Sequence, residues 1–186
     1  MMKKIFIKRM GMWSPALLLL GLTSCFDDGN SVKEEYADWN ARNLAYIEAK
    51  ADSMAGGQLY FTRLTPDWAP NAYALVHWHN NRLLTANNLQ PMDNSTVQIT
   101  YELFDIDGKR LSDSFSMPDS IYTSKPSNNI IGVWYPLTQM HVGDSVTIIM
   151  PNQSGYGSRK YGEIQPYSTL IYNIKLKGIA AYEIKP

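Results

Sequence analysis

A single cysteine, Cys25, in 186 residues excludes an intrachain disulfide and a thiolate metal cage. Histidine is nearly as scarce, with three in the chain. His77 and His79 stand two apart on an expected strand and so share a face, which would suit a metal if a third ligand were near. None is visible, and two surface or core histidines is the plainer reading. Charge is sparse at 18% and balanced, with 17 basic and 17 acidic residues. Since Lys3, Lys4, Lys8 and Arg9 lie in a segment expected to be removed, the remainder is mildly acidic. Its basic pairs, Lys109-Arg110 and Arg159-Lys160, do not grow into a patch, so nucleic acid is not an expected partner. Neither a metal-ligand cluster nor a nucleophilic triad pattern is present, and no cofactor is implied. What remains is a chain that is 45% hydrophobic, ordinary for one globular domain with an extension.

The N-terminus reads as an address. Met1 to Arg9 carry positive charge, and the apolar run through Ala16, Leu17, Leu18, Leu19 and Leu20 is too short to span a membrane. Leu22-Thr23-Ser24-Cys25 follows and resembles the lipobox of bacterial lipoprotein precursors, in which cleavage leaves a lipidated cysteine first. That resemblance implies a lipid membrane as partner through acylated Cys25, since each buried methylene contributes roughly 0.8 kcal/mol. It also implies an extracytoplasmic location, with the outer membrane favoured by Asp27-Asp28 as an export tag; a solvated tether explains the two carboxylates equally well. The expected organisation is a signal peptide over 1–24, a lipidated tether over 25–31, an amphipathic helical extension over 32–57 and a domain over 58–186.

From Val32 to Met54 the apolar residues Val32, Tyr36, Trp39, Ile47, Ala51 and Met54 recur at helical spacing, predicting a helix of about six turns. Ser31 and Glu34 offer a capping box, and Gly56-Gly57 a stop. The aromatic face packs on its own domain or serves dimerisation; the sequence leaves both open, and with them the oligomeric state. Beyond the glycines the period becomes two. Leu59 to Leu64, Tyr73 to Trp78, Val97 to Leu103, Val146 to Ile149 and Leu170 to Leu176 read as strands, with Asp107-Gly108 as a hairpin turn. Between them only Pro136 to Met140 is expected to be helical, with Pro136 in its first turn. Many strands and one short helix indicate an α+β fold with an antiparallel sheet.

Three stretches between Val97 and Ile179 carry a resemblance. They are Val97-Gln98-Ile99-Thr100-Tyr101-Glu102-Leu103 leading to Asp107-Gly108-Lys109; Ile130-Ile131-Gly132 with Leu137, Met140, Val142, Gly143 and Asp144; and Pro151, Gly155-Tyr156-Gly157, Ile164, Pro166, Ser168-Thr169-Leu170 and Tyr172. In this order and spacing they resemble the FKBP-type peptidyl-prolyl cis-trans isomerase domain. The resemblance implies a curved antiparallel β-sheet wrapped around a short α-helix, with a pocket between them and a domain core over 97–179.

Carried over residue by residue, it implies that the Tyr156 hydroxyl and the Ile130 backbone N–H hydrogen-bond a peptide, with Ile164 and Tyr172 as walls. Ile99, Leu111 and Val133 occupy positions where that family has tyrosine, phenylalanine and a tryptophan floor, and Trp134 comes one place late. Ser112 stands where the family has an aspartate, so Asp113, next along, serves only if a bulge turns it inward. The expectation is an apolar pocket with fewer aromatic rings. Tyr122, Tyr135, Tyr161 and Tyr167 fall near its rim or cover the sheet. The implied function is isomerisation of Xaa-Pro bonds in extracytoplasmic, proline-containing polypeptides; the alternative is a non-catalytic peptide- or protein-binding lipoprotein of the same fold.

Overall fold

A computed structural model describes residues 29–182. Cys25, the segment before it and Asp27-Asp28 lie outside the described residues. The first elements are helices α1 (Gly29–Glu35) and α2 (Ala37–Ala51), parted at Tyr36, whose φ of −106° and ψ of 20° leave the helical range. The expected single helix to Met54 is therefore corrected at both ends. It starts before Val32, and it stops at Ala51, where the Asp52 N–H closes on the Glu48 carbonyl at 3.1 Å. Met54 instead begins a small hairpin of β1 (Met54–Ala55) and β2 (Gln58–Leu59). Gly56 and Gly57 turn it with φ of 58° and 81°, a pair of positive values that side chains resist and glycine accepts. The glycines thus turn a hairpin rather than end a helix.

The main sheet holds β3 (Thr62–Leu64), β4 (Ala74–Trp78), β5 (Thr96–Phe104), β6 (Arg110–Asp113), β7 (Tyr122–Ser124), β8 (Ser145–Met150) and β9 (Leu170–Ala181). Its order is β3-β4-β8-β9-β5-β6, with β7 on the other half of β5, and every pairing is antiparallel. The strand expected from Leu59 to Leu64 is broken because Tyr60 bonds back to the Ser53 carbonyl and Phe61 turns into a core, 6% exposed.

Period-two alternation sends side chains to two different cores. Ala74 and Val76, Val146, Ile148 and Met150, and Leu170, Ile174 and Leu176 face inward, onto helix α3 (Ile131–Thr138). Leu75 and Ile149 face the opposite way, onto Ile47 of α2, with Ile171 packed against them. The sheet is therefore covered by a helix on each face.

Helix α3 lies upstream of the expected Pro136–Met140. It begins after Ile130, and Pro136 sits inside it rather than in its first turn. The cost is one backbone bond, to the Gly132 carbonyl. Gly132 in turn lets the helix lie close on β8, since a Cβ there would fall 2.4 Å from the Met150 sulfur.

At the far end of the sheet the long connection from β4 to β5 is fastened to a buried carboxylate, Asp144. It accepts from Asn80 Nδ2 at 2.9 Å, the His141 N–H at 2.8 Å and Thr85 Oγ1, and pairs with Arg82 Nε at 3.3 Å. Burial alone would raise its pKa. The donors from His141, Thr85 and Asn80 and the Arg82 charge outweigh burial and hold it below the usual carboxylate range.

Candidate active site

Between α3 and the inner face of β5 and β9 lies a cavity of about 480 Å³. The odd positions of β5 supply Ile99, Tyr101 and Leu103, β9 supplies Tyr172 and Ile174, and the first turn of α3 supplies Val133, 3% exposed. The loop from β8 to β9 brings Tyr156, Tyr161 and Ile164 over the opening. Ile130, Leu111, Val133, Ile99, Tyr156, Ile164 and Tyr172, named from the sequence, thus line one space.

Asp113 does not join them. The pairing of β5 with β6 runs Phe104 to Arg110 and then Leu103 to Ser112, leaving Leu111 as an extra residue. This bulge turns both Leu111 and Ser112 to the cavity, and the next residue, Asp113, pairs with Glu102 on the outer face. There its carboxylate accepts from the Phe115 N–H at 2.8 Å and lies 3.4 Å from Arg110 Nε. A bulge does exist, then, and it delivers Ser112, whose Oγ sits 3.0 Å from the Tyr101 hydroxyl.

The cavity is also richer in rings than expected. Tyr101 lies 5.5 Å from Tyr122 edge-on and 6.0 Å from Tyr172, and Tyr156 stacks on Tyr161 at 4.4 Å. Tyr101 was not among the residues expected to line the pocket, although the alternation of Val97, Ile99, Tyr101 and Leu103 puts it on the face of Ile99; that was the available signal. Of the other rim tyrosines, Tyr135 borders a separate crevice with Leu64 and Pro66, and Tyr167 holds φ of 60° while its N–H bonds to the Gly157 carbonyl at 2.8 Å. Trp134 turns away to Trp68 at 4.6 Å and donates to Asp93 Oδ1 at 2.7 Å, so Val133 alone meets the cavity floor from that turn.

The electrostatics are those of neutral donors. Burial, then the neighbouring Tyr161, Tyr101 and Tyr122, raise the Tyr156 phenol, with a hydrogen bond from Tyr172 acting the other way. Burial raises Tyr172 far more strongly. Both hydroxyls stay protonated near neutrality. The lining carboxylate, Glu163, sits at the exposed rim, where the hydrogen bond and charge of Lys109 Nζ at 2.8 Å lower its pKa. The amide of Asn129, spent on the Lys125 carbonyl at 2.8 Å and on Ser124 and Pro126, fixes the chain just before Ile130. The Ile130 N–H itself donates to no acceptor among the described residues. The arrangement offers apolar walls from Ile99, Leu111, Val133 and Ile164, set with the hydroxyls of Tyr101, Ser112, Tyr156 and Tyr172.

Residues 87–177 match the family of FKBP-type peptidyl-prolyl cis-trans isomerases. Those residues form an FKBP-type domain. The fold of the chain is similar to that of FkpA from Escherichia coli, with a TM-score of 0.66 at 19% identity, covering 83% of this chain and 65% of FkpA. It is also similar to a peptidyl-prolyl cis-trans isomerase from Pseudomonas syringae pv. tomato, with a TM-score of 0.55 at 18% identity, covering 81% of this chain and 94% of that one. No curated protein matches by sequence. At 18–19% identity the likeness to these two structures is one of fold, and the chain spans just under two thirds of the length of FkpA.

Away from the FKBP-type cavity, His77 and His79 lie on the outer face. His77 stacks on Tyr60 at 3.8 Å, and His79 Nε2 is 2.8 Å from Thr147 Oγ1. Among the described residues no three metal-ligating side chains gather, and no helix is long and apolar enough to cross a membrane.

Proposed function

We propose that this protein is a lipid-anchored peptidyl-prolyl cis-trans isomerase acting on extracytoplasmic polypeptides. The observation that carries the reading is the cavity that Tyr156, Ile130, Ile164, Tyr172, Leu111, Val133 and Ile99 share. Rotation about a peptide bond must cross about 18–20 kcal/mol, and an Xaa-Pro bond isomerises unaided in tens to hundreds of seconds. Amide resonance is the source of the barrier, and water favours the polar resonant form. A slot walled by Ile99, Leu111, Val133, Ile164 and Tyr172 strips water from the imide and so favours the twisted, less polar transition state. The Tyr156 hydroxyl and Ile130 N–H hold the flanking carbonyls while rotation proceeds. Proton transfer has no part in this, in keeping with an interior of neutral phenols.

Exchange spectroscopy on a series of Xaa-Pro peptides tests the reading. The purified protein should accelerate exchange, most with a bulky apolar residue before proline. If every peptide exchanges at its uncatalysed rate, the enzyme reading fails. Ser112, bringing a neutral hydroxyl where a carboxylate is the family pattern, favours a second reading as a non-catalytic peptide-binding module, which binding of the same peptides without acceleration would support. The anchor has its own test. Cys25→Ala should move the protein into the soluble fraction, and a variant still bound after a salt wash would remove Cys25 from the account.

A further inference from the structure

Helix α2 lies outside the family match, yet it touches the chain on both sides of the cavity mouth. Asn43 is 1% exposed, and its groups are directed to one place. Its Oδ1 accepts from the Thr169 N–H at 2.6 Å, its carbonyl accepts from Thr169 Oγ1 at 3.2 Å, and its Nδ2 is braced on the Trp39 carbonyl at 2.8 Å. One turn earlier, Trp39 Nε1 donates to Ser168 Oγ at 3.1 Å, and that hydroxyl donates to the Gln165 carbonyl at 2.8 Å. Ser168 and Thr169 are the hinge by which the β8–β9 loop, with Tyr156, Tyr161 and Ile164, enters β9. On the other side Arg42 pairs with Asp107 in the β5–β6 turn, next to Lys109, which reaches Glu163 at the tip of the same loop. The contacts form a closed circuit, running from α2 to the hinge, along the loop to Glu163, across to Lys109, and through Asp107 back to α2.

We propose that α2 is a positioning element for the peptide cavity, acting through Asn43 and Trp39 on the hinge at Ser168–Thr169 and so on the placement of Tyr156 and Ile164. This rests on the reading of the cavity as a peptide site. The directional bonds distinguish it from mere coverage of the sheet. Ile47 supplies coverage, buried in an apolar cluster with Leu75, Ile149 and Phe61. Asn43 and Trp39 instead spend hydrogen bonds on backbone and hydroxyl groups of the hinge, and a buried amide with matched partners fixes position more sharply than an apolar contact does.

The test compares three variants of the purified protein at a temperature where each is fully folded: Asn43→Ala, the milder Trp39→Phe, and Ile47→Ala as a control for stability. Asn43→Ala should lower kcat/KM for an Xaa-Pro peptide about 5- to 10-fold and Trp39→Phe about 2- to 4-fold, mainly through KM. Ile47→Ala should lower Tm at least as much as Asn43→Ala while holding kcat/KM within about twofold of wild type. Unchanged kinetics in Asn43→Ala and Trp39→Phe would overturn the proposal. So would a loss in all three that simply follows Tm. Should wild type bind the peptide without accelerating it, the isomerase reading alone fails. The same comparison is then read as peptide affinity by NMR titration, where Asn43→Ala must weaken binding and an unchanged Kd overturns the proposal. Wild type that does neither sinks both.

Discussion

The two faces of the sheet are built on different plans. The outer face is apolar only along the row of Leu75, Ile149 and Ile171, just wide enough for α2, and beyond it the next row turns polar with His77, Thr147 and Asn173. There Thr147 Oγ1 bonds Asn173 Oδ1 at 2.6 Å, an open face that needs no cover. The inner face carries apolar and aromatic side chains across β4, β8, β9 and β5, more than the eight residues of α3 can seal. Val133 stands at the cavity floor while the Trp134 ring is turned outward onto Trp68, so the surplus stays open as the cavity. A surface matched to its helix gives stability, and a surface larger than its helix gives a site.

The largest effect should come from emptying the inner core. Leu137→Ala removes a side chain that is 0% exposed and should cost about 3–5 kcal/mol by urea denaturation. The outer Ile47→Ala should cost less, about 2–3 kcal/mol, because a surface helix settles more easily into the space. Equal costs would erase the distinction between the faces. Next comes Asp144→Ala, which strands Asn80, Thr85 and Arg82 and should cost about 2–4 kcal/mol. The folded-state pKa of Asp144 is depressed, so its contribution is complete above the ordinary carboxylate value near 4 and is lost as pH falls through the lower folded value. Acid titration of wild type should show this slope and Asp144→Asn should flatten it.

Smaller again, Tyr156→Phe should slow exchange several-fold, for one hydrogen bond of about 0.5–1.5 kcal/mol, with little change in Tm. The wild-type rate should be flat from about pH 6 to pH 9, because the Tyr156 and Tyr172 phenols titrate above their ordinary value near 10. The smallest effect is expected from Lys109→Ala, whose exposed partner Glu163 is already solvated, and Tm should not move measurably.

Much of this was legible in the sequence, and the failures share a cause. Strands with one wet face announced themselves by alternation, as in Val97 to Leu103, and the Asp107-Gly108 turn by its residues. Helix α3 did not, because Ile131, Val133, Trp134 and Tyr135 are apolar or aromatic all round, and a buried run without a polar stripe shows no period. Ser112 and Asp113 were indistinguishable because a bulge is a property of two paired strands, visible only when Leu111 is seen opposite nothing. The contacts of Asp144 with Asn80 and Thr85, and of Asn43 with Thr169, join distant segments through side chains that read as ordinary surface polar residues.

The strand order has a consequence for how the chain is made. β3 and β4 pair with each other, and β5 with β6 and β7, but these two groups share no pairing; β8 and β9 lie between them and join them. A chain emerging from its N-terminal end therefore presents two unconnected hairpin groups with open edges until the last strands arrive. The contacts that join them, such as Leu75 with Ile149 and Leu103 with Tyr172, span long separations and close slowly. Tyr172 is itself carried by β9, the last of the described strands, so the cavity is complete only once that strand is in place. Until then the chain remains an open, edge-exposed polypeptide.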